Sequence, residues 1–281
     1  MTAPAPAPAA AAAATESERA AADHLSRLNG ARGLQAAVLA LLLPAGSQRA
    51  ARAWAIETEG TPDARTLLAH VGHLPGTARL PWFETLVSRM RDQPLAARQS
   101  LLEATRRVMA ARGTVRPIDR LHWLAMRQRL GGASGAGART AAAADLSRLP
   151  QTEVFAIAAY SAFLSRMVPV DAAESTGDAA VGVAWYGAVM EPWQGHATIP
   201  PCQPPDTDGL VHALQELQAL AWMQRPILVR GWLGAALQHS LYGRIGGGAA
   251  DALRLTCSLL DSPLPPELTR YYDRPPPNPP R

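Results

Sequence analysis

The sequence predicts an all-α protein, a multi-helix bundle, and three observations carry that expectation. Apolar residues recur at three-and-four spacing through most of the chain, the signature of one buried helical face. Pro and Gly punctuate the alanine-rich segments at places where helices begin and stop. Alternating β-branched runs, the mark of a strand, are almost absent.

Residues 1–14 form an Ala/Pro low-complexity lead that the composition predicts to be disordered. From Thr15 to Leu28 a short helix is expected, with acids in its first turn and Asn29-Gly30 as its stop. Gly33 to Leu43, apolar nearly all round, predicts a buried core helix ended by Pro44 and Gly46. Gln48 to Glu57 suggests a further helix. Thr61-Pro62-Asp63 reads as a start signal, with Thr61 as N-cap and proline at the first helical position of a helix running to about His73. His70 and His73 are spaced i,i+3 and could share a helical face as metal ligands do, but no third ligand is apparent nearby; they read as solvated or capping groups near a helix C-terminus.

The densest periodic run lies between Arg79 and Leu130. Leu80, Phe83, Leu86, Val87 and Met90 mark one apolar face, and Leu95, Leu101, Leu102, Val108 and Met109 mark the next. Pro94 separates these two helices because it lacks an amide hydrogen and fits only a first turn. Arg112-Gly113 ends the second, and Pro117 opens a third. The Gly/Ala/Ser stretch 131–140 then reads as a linker. It lacks the Lys-Ser/Thr pair of a phosphate loop, and Ala136 stands where a nucleophile elbow would need glycine.

Leu149 to Met167 predicts a second strongly apolar helix, and Asp171 a cap for a helix through Ala188. Phe155, Tyr160, Phe163, Trp185 and Tyr186 are expected in the core. Met190 to Asp208 is a proline-rich loop carrying Trp193, His196 and Cys202, the one cluster that the sequence offers as a candidate ligand loop. Leu210 to Met223 and Pro226 to Leu241 follow as a helical pair, with Trp222 and Trp232 on apolar faces. A last helix is expected over Ala249 to Leu260, and beyond Ser262 a proline-rich tail that cannot stay helical. The Gly/Ala joint offers a boundary between two helical subdomains, 15–130 and 149–266, with a linker at 131–148 and a tail at 267–281.

Composition narrows the function. Hydrophobic residues make up 48% of 281 residues and charged residues 18%, which excludes wholesale disorder. All the basic residues are arginine, as a very GC-rich bacterial genome tends to encode, and the net charge of +4 is small and not clustered as a nucleic-acid face would be. The two cysteines, Cys202 and Cys257, read as core thiols or a disulfide, and no apolar run reaches the roughly 20 residues that span a bilayer. Motif chemistry is missing throughout. There is no His-Glu-x-x-His, no dinucleotide glycine fingerprint and no Cys-x-x-Cys, so no catalytic residue, no cofactor and no metal ligand is assigned.

Four segments occur in a recognisable order: Ala36 to Leu43 (AAVLALLL), Arg79-Leu80-Pro81 with its following helix, Leu101 to Gly113 (LLEATRRVMAARG) leading to the helix of Ile118, and Ala252 to Pro266 (ALRLTCSLLDSPLPP). This order resembles the soluble C-terminal region of bacterial membrane-integrated zinc metallopeptidases of the HtpX type. The central pair also resembles a TerB-type helical module, in which acids flank the inter-helix turn; here Arg112 stands in the acid's place and Asp119 is retained. The resemblance implies that a protease domain with transmembrane helices and a zinc motif normally precedes such a sequence. None of the family's active-site residues is carried over. The expected function is that of a non-catalytic accessory or interaction domain with a membrane metallopeptidase as protein partner. It would be cytoplasmic and membrane-associated through that partner, with no nucleic acid and no membrane span of its own. The alternative is a TerB-like small-ligand or metal-binding stress-response module.

Overall fold

A computed structural model describes residues 8–131, 146–168, 179–195, 197–240 and 243–273. Among these residues there are thirteen α-helices and no strand, so the fold is all-α as the periodicity requires. Contacts divide the chain into two compact units. One comprises Met1–Asp119, Met126–Gly132 and Tyr272–Arg281, the other Arg120–Ala125 and Ala133–Tyr271. The 131–140 joint and the Asp171 cap fall, apart from Gly131, outside the described residues.

In order, the first seven helices are α1 (Pro8–Arg27), α2 (Ala31–Leu41), α3 (Gln48–Glu57), α4 (Ala64–His73), α5 (Gly76–Arg91), α6 (Leu95–Ala110) and α7 (Pro117–Leu130). α2 is the hub of the first unit, packing against α3, α4, α5 and α6. Its residues Ala36–Leu41 are all buried, because alanines on several faces let neighbouring backbones approach. The indole of Trp54 in α3 donates to the Ala36 carbonyl at 3.0 Å, satisfying a buried polar edge.

Three starts differ from expectation. α1 begins at Pro8, inside the Ala-rich lead, since alanine is the best helix former and proline is tolerated in a first turn. α4 is capped by Asp63 in the left-handed conformation (φ 55°) and not by Thr61, whose amide donates to Thr58 O at 2.9 Å within the preceding turn. α5 starts at Gly76, so Pro81 lies within the helix. The joints at Pro94, Gly113 (φ 85°) and Pro117 match the sequence reading.

The remaining helices are α8 (Gln151–Leu164), α9 (Ala179–Met190), α10 (Thr207–Ala219), α11 (Gln224–His239), α12 (Gly247–Leu259) and α13 (Pro266–Asp273). α8 packs on α10 and α9, and α11 packs on α9 and α12. A Cβ on Gly182 would lie 2.7 Å from the Ser165 carbonyl, so glycine is what lets α9 approach the end of α8 so closely.

A buried polar network ties this second core together. Tyr160 hydroxyl and Thr256 Oγ1 are 3.1 Å apart, and Thr256 donates onward to Ala252 O at 2.8 Å, so Tyr160 is the donor of the pair. Trp232 Nε1 donates to Ser161 Oγ at 2.8 Å, and Trp185 Nε1 to the Trp232 carbonyl at 3.3 Å. Burial pushes the Tyr160 hydroxyl far above its ordinary pKa, so it stays a protonated donor.

Two expectations here are corrected. Phe155 is 43% exposed, unlike the other four aromatics of its group, because it lies on the outer side of α8. The chain after Ser262 does form a helix: α13 starts at Pro266, where the missing amide costs nothing, and buries Leu268.

Candidate functional site

The Trp193 loop is built as a packed connection. Trp193, in a 3₁₀ turn over Glu191–Trp193, is 2% exposed and its Nε1 donates to Leu146 O at 2.7 Å. Gln151 clasps the loop twice, donating to Thr198 O at 2.8 Å and accepting from the Thr198 amide at 3.0 Å. Tyr186 hydroxyl donates to Pro200 O at 2.6 Å; burial, with the neighbouring Cys202, pushes it up to about 12. Cys202 is half-buried, with its Sγ 3.5 Å from Ser165 Oγ, and Cys257 is buried; neither is in a disulfide. His196 lies outside the described residues. Trp193 and Cys202 thus spend their polar atoms on this chain.

The turn between α6 and α7 carries the densest charge. Arg112 and Asp119, with side chains 6% and 2% exposed, pair at 2.8 Å, and Arg116 adds a second contact to Asp119 at 2.9 Å. Arg112 Nη2 also donates to the carbonyl of Leu42, beyond the C-terminus of α2, while its Nε is buried without a partner. Burial works to raise the Asp119 pKa. The hydrogen bond from Arg116 and the charges of Arg112 and Arg116 outweigh it and hold the carboxyl below the usual range. A guanidinium therefore occupies the position where a cation would meet Asp119. Among the described residues no group of three His, Cys, Asp or Glu is placed to hold a metal ion.

Helix ends recur as arginine sites. Arg79 donates to Leu41 O at 3.1 Å and to Leu43 O at 3.3 Å at the end of α2. Arg89 donates to Leu25 O at 3.2 Å and to Leu28 O at 2.5 Å at the end of α1, and Arg98 reaches Leu130 O at 3.3 Å at the end of α7. In each case a cation meets the negative end of a helix dipole and carbonyls with no partner inside the helix.

The most complete of these clamps holds the turn between α10 and α11. Arg225, 7% exposed, donates through Nε to Leu220 O at 3.0 Å, through Nη1 to Leu260 O at 3.1 Å and through Nη2 to Gln218 O. Gln224 Oε1 accepts from the Ala221 amide at 3.1 Å. With Leu220 and Ala221 buried and Gln224 and Arg225 pinned beneath, the next two side chains have nowhere to go but outward. Trp222 is 71% exposed, Met223 37%, and Ile227, one helical turn further on, 39%.

This corrects the expectation that Trp222, like Trp232, faces a core; Trp232 is 0% exposed. Trp, Met and a β-branched residue held together on a rigid turn form an apolar surface of the kind that protein partners cover. α10 ends at Ala219 and α11 starts at Gln224, two residues before Pro226, so Trp222 lies in the connection and not on a helix face. Comparison with known proteins gives no further guide, since the chain matches no family model, no curated protein and no solved structure.

Proposed function

We propose that this chain is a non-catalytic helical docking module that binds a protein partner through the Trp222–Met223–Ile227 turn. The partner in this proposal is a membrane-bound zinc metallopeptidase of the kind whose C-terminal region the sequence resembles, and the module docks or regulates it. The observation that carries the reading is the 71% exposure of Trp222 on a turn fixed by Arg225. An exposed tryptophan on a backbone already fixed by hydrogen bonds spares binding the ordering of that turn. Supporting it, three charged groups with buried side chains, Arg112, Asp119 and Arg225, are spent on backbone carbonyls or on one another. Among the described residues no helix is long and apolar enough to cross a membrane, so in this reading attachment runs through the partner. The cation-binding alternative has the guanidinium of Arg112 standing against it at the α6–α7 turn.

The test is co-purification in detergent of the tagged full chain with a co-expressed His-Glu-x-x-His membrane peptidase. Trp222→Ala and Ile227→Asp are expected to abolish recovery while leaving the circular dichroism and unfolding midpoint unchanged. Recovery that survives both substitutions would refute the docking face, and failure of the unaltered chain to bind would refute the partner.

A further inference from the structure

His24 and His70 interrupt two apolar stripes at matching places. On α1 the face Ala21, His24, Leu25 has both flanking residues fully buried, and on α4 the face Leu67, His70, Val71 repeats the arrangement. α4 is the helix on which α1 chiefly packs. Between them the imidazoles meet edge to face, with centroids 4.6 Å apart and planes at 80°. Nδ1 of His70 is buried with no hydrogen-bond partner. A neutral ring tolerates that surrounding; an imidazolium there must hold two donors, at least one of them unsatisfied.

The groups that perturb His70 all oppose its protonation. Burial first, and then the charges of His24 and of His73 one turn on, hold the His70 pKa below the ordinary histidine value. From α5, Arg79 donates to the carbonyl of Val71, the residue after His70, at 3.2 Å. α2, also packed on α4, has Arg32 as its one ionisable residue, and it is exposed. On α1, Asp23 and Arg27 flank His24 on the solvent side. No carboxylate is among the groups that perturb His70.

We propose that the His24–His70 contact is a proton-operated latch: with the His70 imidazole neutral α1 lies on α4, and proton uptake by His70 drives α1 off and uncovers the Ala21–Leu25 stripe. The sign follows from linkage. A histidine whose folded pKa is depressed stabilises the docked state fully above its unfolded value of about 6.5, and that contribution drains as pH falls toward the folded value. The window therefore opens just below neutrality.

Hydrogen exchange on the full chain at pH 7.5 and 5.5, corrected for intrinsic rates, tests this directly. Protection of amides 16–27 is expected to fall relative to α2 by up to about tenfold per pH unit for each proton taken up. In His70→Gln, which cannot take up the proton, the drop should vanish. Equal protection ratios at both pH values, or the same drop in the variant, would overturn the latch. Should that variant misfold, NMR titration of the unaltered protein decides the matter: His70 titrating below about 6.5 supports the latch, and at or above it contradicts the latch.

Discussion

Arg112 in the first unit and Arg225 in the second are both nearly buried arginines that close an inter-helix turn, yet they are satisfied in opposite ways. Arg112 faces a buried carboxylate, Asp119, and adds one helix-end carbonyl. Arg225 has three carbonyls, at the ends of α10 and α12, and no ion pair to it is found among the described residues. A guanidinium can accept either arrangement because its donors are spread in a plane and its charge is delocalised and weakly hydrated; an ammonium would fit neither as well. The difference teaches that a buried cation here needs lone pairs, and that helix C-termini supply them without a compensating acid. It also separates two turns of different use. The Arg112 turn is tied to its surroundings by charge, whereas the Arg225 turn holds its own backbone rigid and leaves Trp222 outside.

The contrast can be broken from the larger side first. Arg225→Met should cost about 3–5 kcal/mol, since three carbonyls lose donors in a buried site where hydrogen bonds to charge are strong. Urea unfolding followed by hydrogen exchange in α10 to α12 would show it, together with faster exchange around Trp222. Arg112→Ala should cost less, about 2–4 kcal/mol, because Arg116 still partners Asp119. A double-mutant cycle with Asp119→Ala should return a coupling of about 1–3 kcal/mol.

Acid sharpens the same comparison. The depressed pKa of Asp119 gives stability that is present above the unfolded carboxyl value, about 3.9, and is lost as pH falls through the lower folded value. Exchange in α6 and α7 should therefore quicken below about pH 4, and less so in Arg112→Ala. The Arg225 clamp contributes no such dependence, having no carboxylate to protonate.

The smallest effect should come from Glu57→Gln. Glu57 and Arg107 pair at 2.5 Å between α3 and α6, but Arg107 is well exposed, so salt and water already discount the pair. The unfolding midpoint should barely move, and the small shift should disappear in high salt.

How much of this was legible follows from the range of each interaction. The α2 core, the α6–α7 turn and the helix start at Pro117 are local patterns, and periodicity with Pro and Gly placement exposes them. The sequence also placed an arginine at 112 and kept Asp119 seven residues on, though the pairing of the two emerges only in the fold. It could not show that Arg112 ends on Leu42, or Arg225 on Leu260, because those partners are brought together only by packing. Trp222 was misplaced for a related reason. Its composition is that of a core residue, and only the buried Leu220 and Ala221 beside it turn it outward. His24 gave no signal alone, since its partner His70 lies on another helix. In α13, prolines at 263, 265 and 266 masked a helix that uses the last of them as its first residue.

The most direct measurement is NMR of the arginine side chains in the unaltered protein at neutral pH. A guanidinium pinned by separate carbonyls cannot rotate freely about its C–N bonds, so its Nη groups become distinct. If arginines clamp the helix ends, Arg225 and Arg112 will show resolved, protected Nη signals, while exposed Arg107 gives an averaged one. A single averaged Nη signal for Arg225, like that of a solvent-exposed arginine, would contradict the clamp and with it the rigid turn on which Trp222 stands.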